Sequence, residues 1–484
     1  MKTINLLSSI SLLLFIGCGT SSTTTTESQI NNLITSNNLK GDPSIGKTIP
    51  SINDAKVQLG MKLFFTKSLG GDKDSACVTC HHPALGGGDN LSLPIGVGAT
   101  NPNLLGQGRT HNASSTNYDG FAPVPRNAPS TYNVALWSTS LFWDGRVESL
   151  TPTAGENGSV GGISTPDSGF GNTDSDAGAN LAVAQARFPV TAPEEMRGFT
   201  FEVGTSTAAA RTHLALRLND SSQSDYISNT WQNEFTAIYG ANSVNFKNIV
   251  DAIGEYERSQ LFVNTSWKTY VEGNTSALSD SAKRGAVLFY ASYANGGANC
   301  ASCHSGDFFT DEEYHVMAVP QVGRGKGNGS TGDDDFGRFN VDSNSSHKYA
   351  FRTPTLLNVE MTGPWGHDGA YTTLKAVVKH MLNPDDAISN YDASQLNSDV
   401  KTTNRINNTT SALSQLNTNR QSNISSHQNV SFTETQIDDL VTFLKSLTDP
   451  CLKDKTCIGK WVPANVVGVD SLQLNAINSN GDLL

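Results

Sequence analysis

Two short stretches of the chain share one pattern. Cys77-Val78-Thr79-Cys80-His81 and Cys300-Ala301-Ser302-Cys303-His304 each set two cysteines three positions apart, with a histidine directly after the second. Thiols at this spacing can add to the two vinyl groups of one haem while the adjoining imidazole reaches the iron from the proximal side. A disulfide or a zinc half-site explains a cysteine pair, but not a histidine in the same place twice. The sequence therefore predicts two covalently bound haem c groups, with His81 and His304 as proximal iron ligands. Three of the seven cysteines remain. Cys451 and Cys457 have no adjoining histidine and are expected to close a small disulfide loop in an oxidising compartment.

Cys18 belongs to another pattern. Residues 1–17 carry one charge, Lys2, followed by a short apolar run through Leu12 to Ile16. A spanning helix needs about 20 apolar residues, so this reads as a signal peptide. Phe15-Ile16-Gly17-Cys18 resembles a bacterial lipoprotein box, in which cleavage leaves the cysteine to carry lipid. An ordinary secreted precursor is the alternative, and both put the mature chain on the periplasmic side. Residues 18–45, rich in Thr, Ser and Asn at their start, read as a flexible tether. On this partition no cysteine is left as a free thiol.

Composition narrows the class. With 37% hydrophobic and 16% charged residues the chain is globular, and 33 basic against 45 acidic residues give a net charge of -12 without a basic run. A nucleic-acid partner is excluded on that ground. At 484 residues the chain exceeds one ordinary core, so two domains are expected.

The elements that must position the cysteines also repeat. Ala55-Lys56, Gly60 and Leu63-Phe64 precede the first motif as Ala282-Lys283, Gly285 and Leu288-Phe289 precede the second, both in helical period. A glycine inside an amphipathic helix costs about 1 kcal/mol and points to a close helix crossing. The periodic stretches 246–261 and 433–447 are the candidate partners. The fold class is then mainly α: two cytochrome c-like domains with long irregular loops, over 46–270 and 271–450, the boundary near 265–278, and a tail over 451–484. Residues 99–124 and 151–184 read as long loops flanking the first haem, which either shape access or elaborate the surface. Residues 333–338 read as a solvated acidic loop, and 390–429 give no prediction.

Further local patterns accompany the motifs: Cys77 to Asp89 (CVTCHHPALGGGD), Pro125 to Asn133 (PRNAPSTYN), Phe142 to Arg146 (FWDGR), Pro189 to Met196 (PVTAPEEM), Arg352 to Asn358 (RTPTLLN) and Gly363 to Gly369 (GPWGHDG). In this order they resemble the bacterial di-haem cytochrome c peroxidase and MauG family, from about Asn53 to Leu447. The resemblance implies an N-terminal haem that reacts with hydrogen peroxide and a C-terminal haem that relays electrons from a small cytochrome c or cupredoxin. It also implies site residues. Met381 falls at the register of the sixth ligand of the C-terminal haem, with His380 as its competitor. Val97 stands where a removable histidine ligand would sit, which leaves the N-terminal iron open unless His111 substitutes. Glu195 matches the catalytic carboxylate and Gln185 its amide neighbour, and Trp143 matches the relay between the haems. Asn127, Thr362 and Pro364 match a calcium site. Homodimers are common in the family. A MauG-like oxidase acting on a partner protein is the alternative enzyme, and an electron-transfer cytochrome with both irons closed is the non-enzymatic one.

Overall fold

The computed structural model describes residues 25–464 and 468–484. The leader and Cys18 lie outside them. Eight helices frame the site: α1 (Thr26–Ser36), α2 (Ala55–Phe64), α3 (Phe246–Arg258), α4 (Ser266–Val271), α5 (Asp280–Tyr290), α6 (Leu374–Leu382), α7 (Arg405–Gln421) and α8 (Glu434–Lys445). Strands are few and short. β1 (Ser140–Leu141), β2 (Val147–Ser149) and β3 (Ile163–Ser164) form one antiparallel sheet, and β4 (Tyr314–Val316) pairs with β5 (Ala350–Arg352).

Local signals start the paired helices where periodicity places them. Asn245 caps α3 by accepting from the Asn248 N–H, Ser279 caps α5, and Thr433 with Gln436 forms a capping box on α8. α2 packs on α3 and α5 on α8, burying Leu63, Phe64 and Ile253 in one cluster and Phe289, Leu440 and Phe443 in another. The repeated glycines are the crossing points. A Cβ on Gly60 would stand 1.9 Å from the Ala252 carbonyl oxygen, and one on Gly285 would stand 2.0 Å from that of Asp439. Both neighbours are backbone, which cannot step aside as a side chain does. Gly285→Ala is accordingly expected to destabilise by about 1–3 kcal/mol through overpacking, read as a lower Tm in a melt followed by far-UV circular dichroism.

Two segments, the tether and the acidic loop, differ from expectation, and the boundary and the tail carry structure that the sequence did not specify. The tether is not free along its length: α1 carries Ile30, Leu33 and Ile34 on one face, and Ile30 is fully buried in the cluster that holds α5. Glu27 pairs with Lys283 and accepts from the Tyr270 hydroxyl, and the N–H groups of Lys40 and Gly41 donate to the Asp307 carboxylate just beyond the second haem motif. An i, i+3, i+4 apolar stripe outweighed the polar composition. The expected boundary at 265–278 contains α4, with Trp267 and Tyr270 buried. The tail folds back onto the first half: buried Asp470 accepts from the hydroxyls of Thr66 and Ser68 and the indole N–H of Trp231. The acidic loop is buried rather than solvated, because Asp333 meets Asn404 and Lys401, Asp334 meets Tyr349, and Asp335 meets Arg126. Cys451 and Cys457 form a disulfide.

Candidate active site

Each Cys-x-x-Cys-His loop presents its histidine in the same way. The Nδ1 of His81 lies 3.1 Å from the Gly87 carbonyl oxygen, and that of His304 lies 3.0 Å from the Phe309 carbonyl oxygen. A carbonyl only accepts, so Nδ1 carries the proton and Nε2 keeps its lone pair. Burial lowers both imidazole pKa values and favours this neutral form. Burial also pushes the Cys300 thiol up to about 12 and raises those of Cys77 and Cys80. None of Cys77, Cys80, Cys300 and Cys303 is in a disulfide.

Two adjoining cavities meet these loops. The larger, about 390 Å³, is lined by Cys300, Cys303 and His304 and reaches His81. The smaller, about 90 Å³, is lined by Cys77, Cys80 and His81. Paired thiols beside an imidazole with a free Nε2, all facing apolar-walled space, are the donor set a covalently held haem needs. The residues fit the group at both loops.

Met381 lines the larger cavity from α6. His380 does not compete with it: its Nδ1 meets the Tyr371 hydroxyl and its Nε2 the Met317 carbonyl oxygen, both at 2.8 Å. Met317, which the sequence did not single out, also lines this cavity.

Glu195 and Gln185 line the smaller cavity with His81. Glu195 sits on a turn of π-helix, Pro193–Arg197, that rests on the preceding loop. The approach is close enough that a Cβ on Gly96 would stand 2.4 Å from the Glu195 carbonyl oxygen, and the Val97 N–H donates to the Glu194 carbonyl oxygen. Val97 and His111 line neither cavity; His111 Nδ1 meets the Phe121 carbonyl oxygen and its ring packs on Tyr118. Burial raises the Glu195 pKa, opposed by the charges of Arg146, Lys326 and Arg126 and reinforced by Glu194.

Trp143 lines both cavities. Its indole N–H donates to the Asn127 carbonyl oxygen at 2.9 Å, and its own carbonyl accepts from the Arg352 N–H at 2.8 Å. Asn127, Thr362 and Pro364 line the larger cavity together. Asn127 Nδ2 donates to the carbonyl oxygens of Leu91 and Ser92.

Sequence reasoning missed several charged members. Arg126 bridges buried Asp144 and Asp335, Arg146 also meets Asp144, and Lys326 reaches the smaller cavity from the loop before the acidic run. Glu257 of α3 lines both cavities, its pKa pushed up to about 8 by burial and its Oε2 without a partner among the described residues. The two arginines stood inside quoted patterns, and Glu257 on a recognised amphipathic helix; their carboxylate-rich or apolar surroundings, distant in sequence, carried the missing signal.

Residues 54–276 match the family described as di-haem cytochrome c peroxidase. Over this stretch the chain is similar to the di-haem cytochrome c peroxidase and MauG family. Among similar proteins, the methylamine utilization protein MauG of Methylorubrum extorquens is 28% identical over 330 residues, covering 68% of each chain. The cytochrome c551 peroxidase of Nitrosomonas europaea is 24% identical over 335 residues, covering 69% of this chain and 75% of that one. The fold is that of the diheme peroxidase BthA from Burkholderia thailandensis, with a TM-score of 0.53 at 20% identity over 90% of this chain and 93% of the other.

Proposed function

We propose that the protein reduces hydrogen peroxide to water at the His81 cavity, using electrons that enter through the His304 cavity. The observation that carries this reading is the placement of Glu195 and Gln185 on the wall of the cavity that also holds Cys77, Cys80 and His81. Haem c held by Cys77 and Cys80, and a second held by Cys300 and Cys303, would supply iron and one-electron steps. Peroxide takes up two electrons and two protons to give two waters. A Glu195 carboxylate oxygen takes a proton from one peroxide oxygen and returns it to the other, which leaves as water, and the two electrons and two protons convert the remaining oxygen to the second water. Gln185 holds the oxygens by its amide, and Trp143, in the wall common to both cavities, relays electrons between them. Met381, in the cavity that His304 lines, would offer its thioether to a haem held there, which would favour ferrous iron.

Calcium at Asn127, Thr362 and Pro364 completes the reading, since an amide oxygen and backbone carbonyls suit a hard cation. So do the division into 46–270 and 271–450, a small cytochrome c or cupredoxin as donor, a homodimer, and a lipid on Cys18 that holds the protein on the periplasmic side. Among the described residues no helix is long and apolar enough to cross a membrane.

A MauG-like oxidase of a partner protein is the second reading, favoured by the similarity to MauG; Met381 speaks against it, because MauG has a tyrosine at that axial position. Mixing the reduced protein with peroxide and excess reduced cytochrome c decides. Rapid oxidation of the donor is expected, whereas a long-lived oxidised protein without donor turnover would move the assignment to the oxidase.

A further inference from the structure

Arg352 is out of keeping with the other buried arginines. Arg126, Arg187, Arg211, Arg217 and Arg338 each meet a carboxylate, and Arg109 is ringed by backbone carbonyls. Arg352 is 6% exposed, yet its side chain donates to a single carbonyl, that of Phe142, and its Nη1 has no partner among the described residues. Glu312, the nearest acidic influence, is already engaged by the N–H groups of Ser138 and Thr139. The guanidinium lies 3.4 Å over the Trp137 ring and lines the larger cavity with His304. A buried cation left without an anion costs several kcal/mol. An anion must therefore come from what fills the cavity.

We propose that Arg352 binds a propionate carboxylate of the haem held at Cys300, Cys303 and His304. The inference rests on the reading of that loop as a haem site. Haem is the one group in the reading that fills this cavity and carries carboxylates. The planar guanidinium fork suits a carboxylate better than an ammonium does. Two consequences follow from its position. The Arg352 N–H also holds the Trp143 carbonyl oxygen at 2.8 Å, so one residue ties the haem edge to the backbone of the relay tryptophan. The cation also offsets a negative charge near the iron, which favours the ferrous state and raises the reduction potential.

The test is spectroelectrochemistry of the intact protein carrying Arg352→Met or Arg352→Lys, with covalent haem counted by the pyridine haemochrome assay. In Arg352→Met both haems should stay attached while the reduced-to-oxidised ratio of the higher-potential haem at fixed potential falls about tenfold, equivalent to ~59 mV for one electron. Arg352→Lys should restore most of that ratio. If Arg352→Met does not fold, the propionate bending band in resonance Raman spectra decides: it should differ between the wild type and Arg352→Lys. An unchanged potential in a loaded variant, or an identical band, would overturn the proposal. Absence of covalent haem from the wild type would instead overturn the underlying site reading, and the haemochrome assay reports that separately.

Discussion

Glu195→Gln is expected to lower peroxide turnover by about 10²–10⁴-fold, the usual worth of a positioned proton-transfer group, with both covalent haems retained. The amide keeps the volume and hydrogen-bonding of the side chain, and the backbone around it is fixed independently: Gly96 packs against the Glu195 carbonyl and the Val97 N–H holds that of Glu194. Loss of activity would then report the proton and not the fold. Glu194→Gln supplies the contrast, because Glu194 does not line the cavity, and its effect should be small. The pH dependence has a definite sign. The reaction needs the carboxylate, and burial raises its pKa, so kcat/KM falls as pH drops through a value above the ordinary glutamate range. Steady-state assays with reduced cytochrome c across pH check both points, and near-wild-type turnover in Glu195→Gln would remove this residue from the mechanism.

The same residues show what a sequence can and cannot announce. The Cys-x-x-Cys-His loops stand out because their spacing is fixed, and the crossings at Gly60 and Gly285 because close helix contact leaves no room for a Cβ. Glu195, Gln185 and Trp143 could be named only through resemblance, and the structure adds that all three line the cavities. What was missed depends on partners far away in the chain. α7 is polar through most of its seventeen residues, and of its buried residues Asn408, Thr409, Ala412, Leu416 and Asn419 only Ala412 and Leu416 are apolar; no helical period stands out from such a stretch. Asp333, Asp334 and Asp335 look like a solvated run until Asn404, Tyr349 and Arg126 are placed beside them. Residues 25–45 depart from a free tether for the opposite reason, since three apolar residues of α1 pack them onto the cluster that holds α5.

Arg126→Met is expected to destabilise the protein by about 3–5 kcal/mol, the range for breaking a buried ion pair by removing one partner. Arg126 donates to Asp144 at 2.6 Å and to both oxygens of Asp335 at 2.6 and 2.8 Å, with all three side chains no more than 8% exposed. The contact joins the FWDGR turn to the acidic loop, 209 positions away from Arg126 in the chain. The guanidinium holds both carboxyls below the ordinary aspartate range, against the opposing effect of burial. Their contribution to stability is thus complete above the unfolded value of about 3.9 and is lost as pH falls through the folded values. In Arg126→Met the sign reverses. Among the described residues Asp335 loses its ion-pair partner and Asp144 keeps Arg146, so burial is offset far less and the carboxyls shift toward protonation. The destabilisation should be greatest near neutral pH and shrink in acid, and denaturant titrations at pH 7 and pH 4 measure the difference. Adding Asp335→Asn to Arg126→Met should recover part of the loss by removing the stranded charge. A loss of equal size at both pH values would show that Arg126 acts through packing alone. Because Arg126 also lines the smaller cavity and opposes the rise in the Glu195 pKa, the variant should carry its acid limb of activity to higher pH, which links the stability of the interface to the protonation of the site.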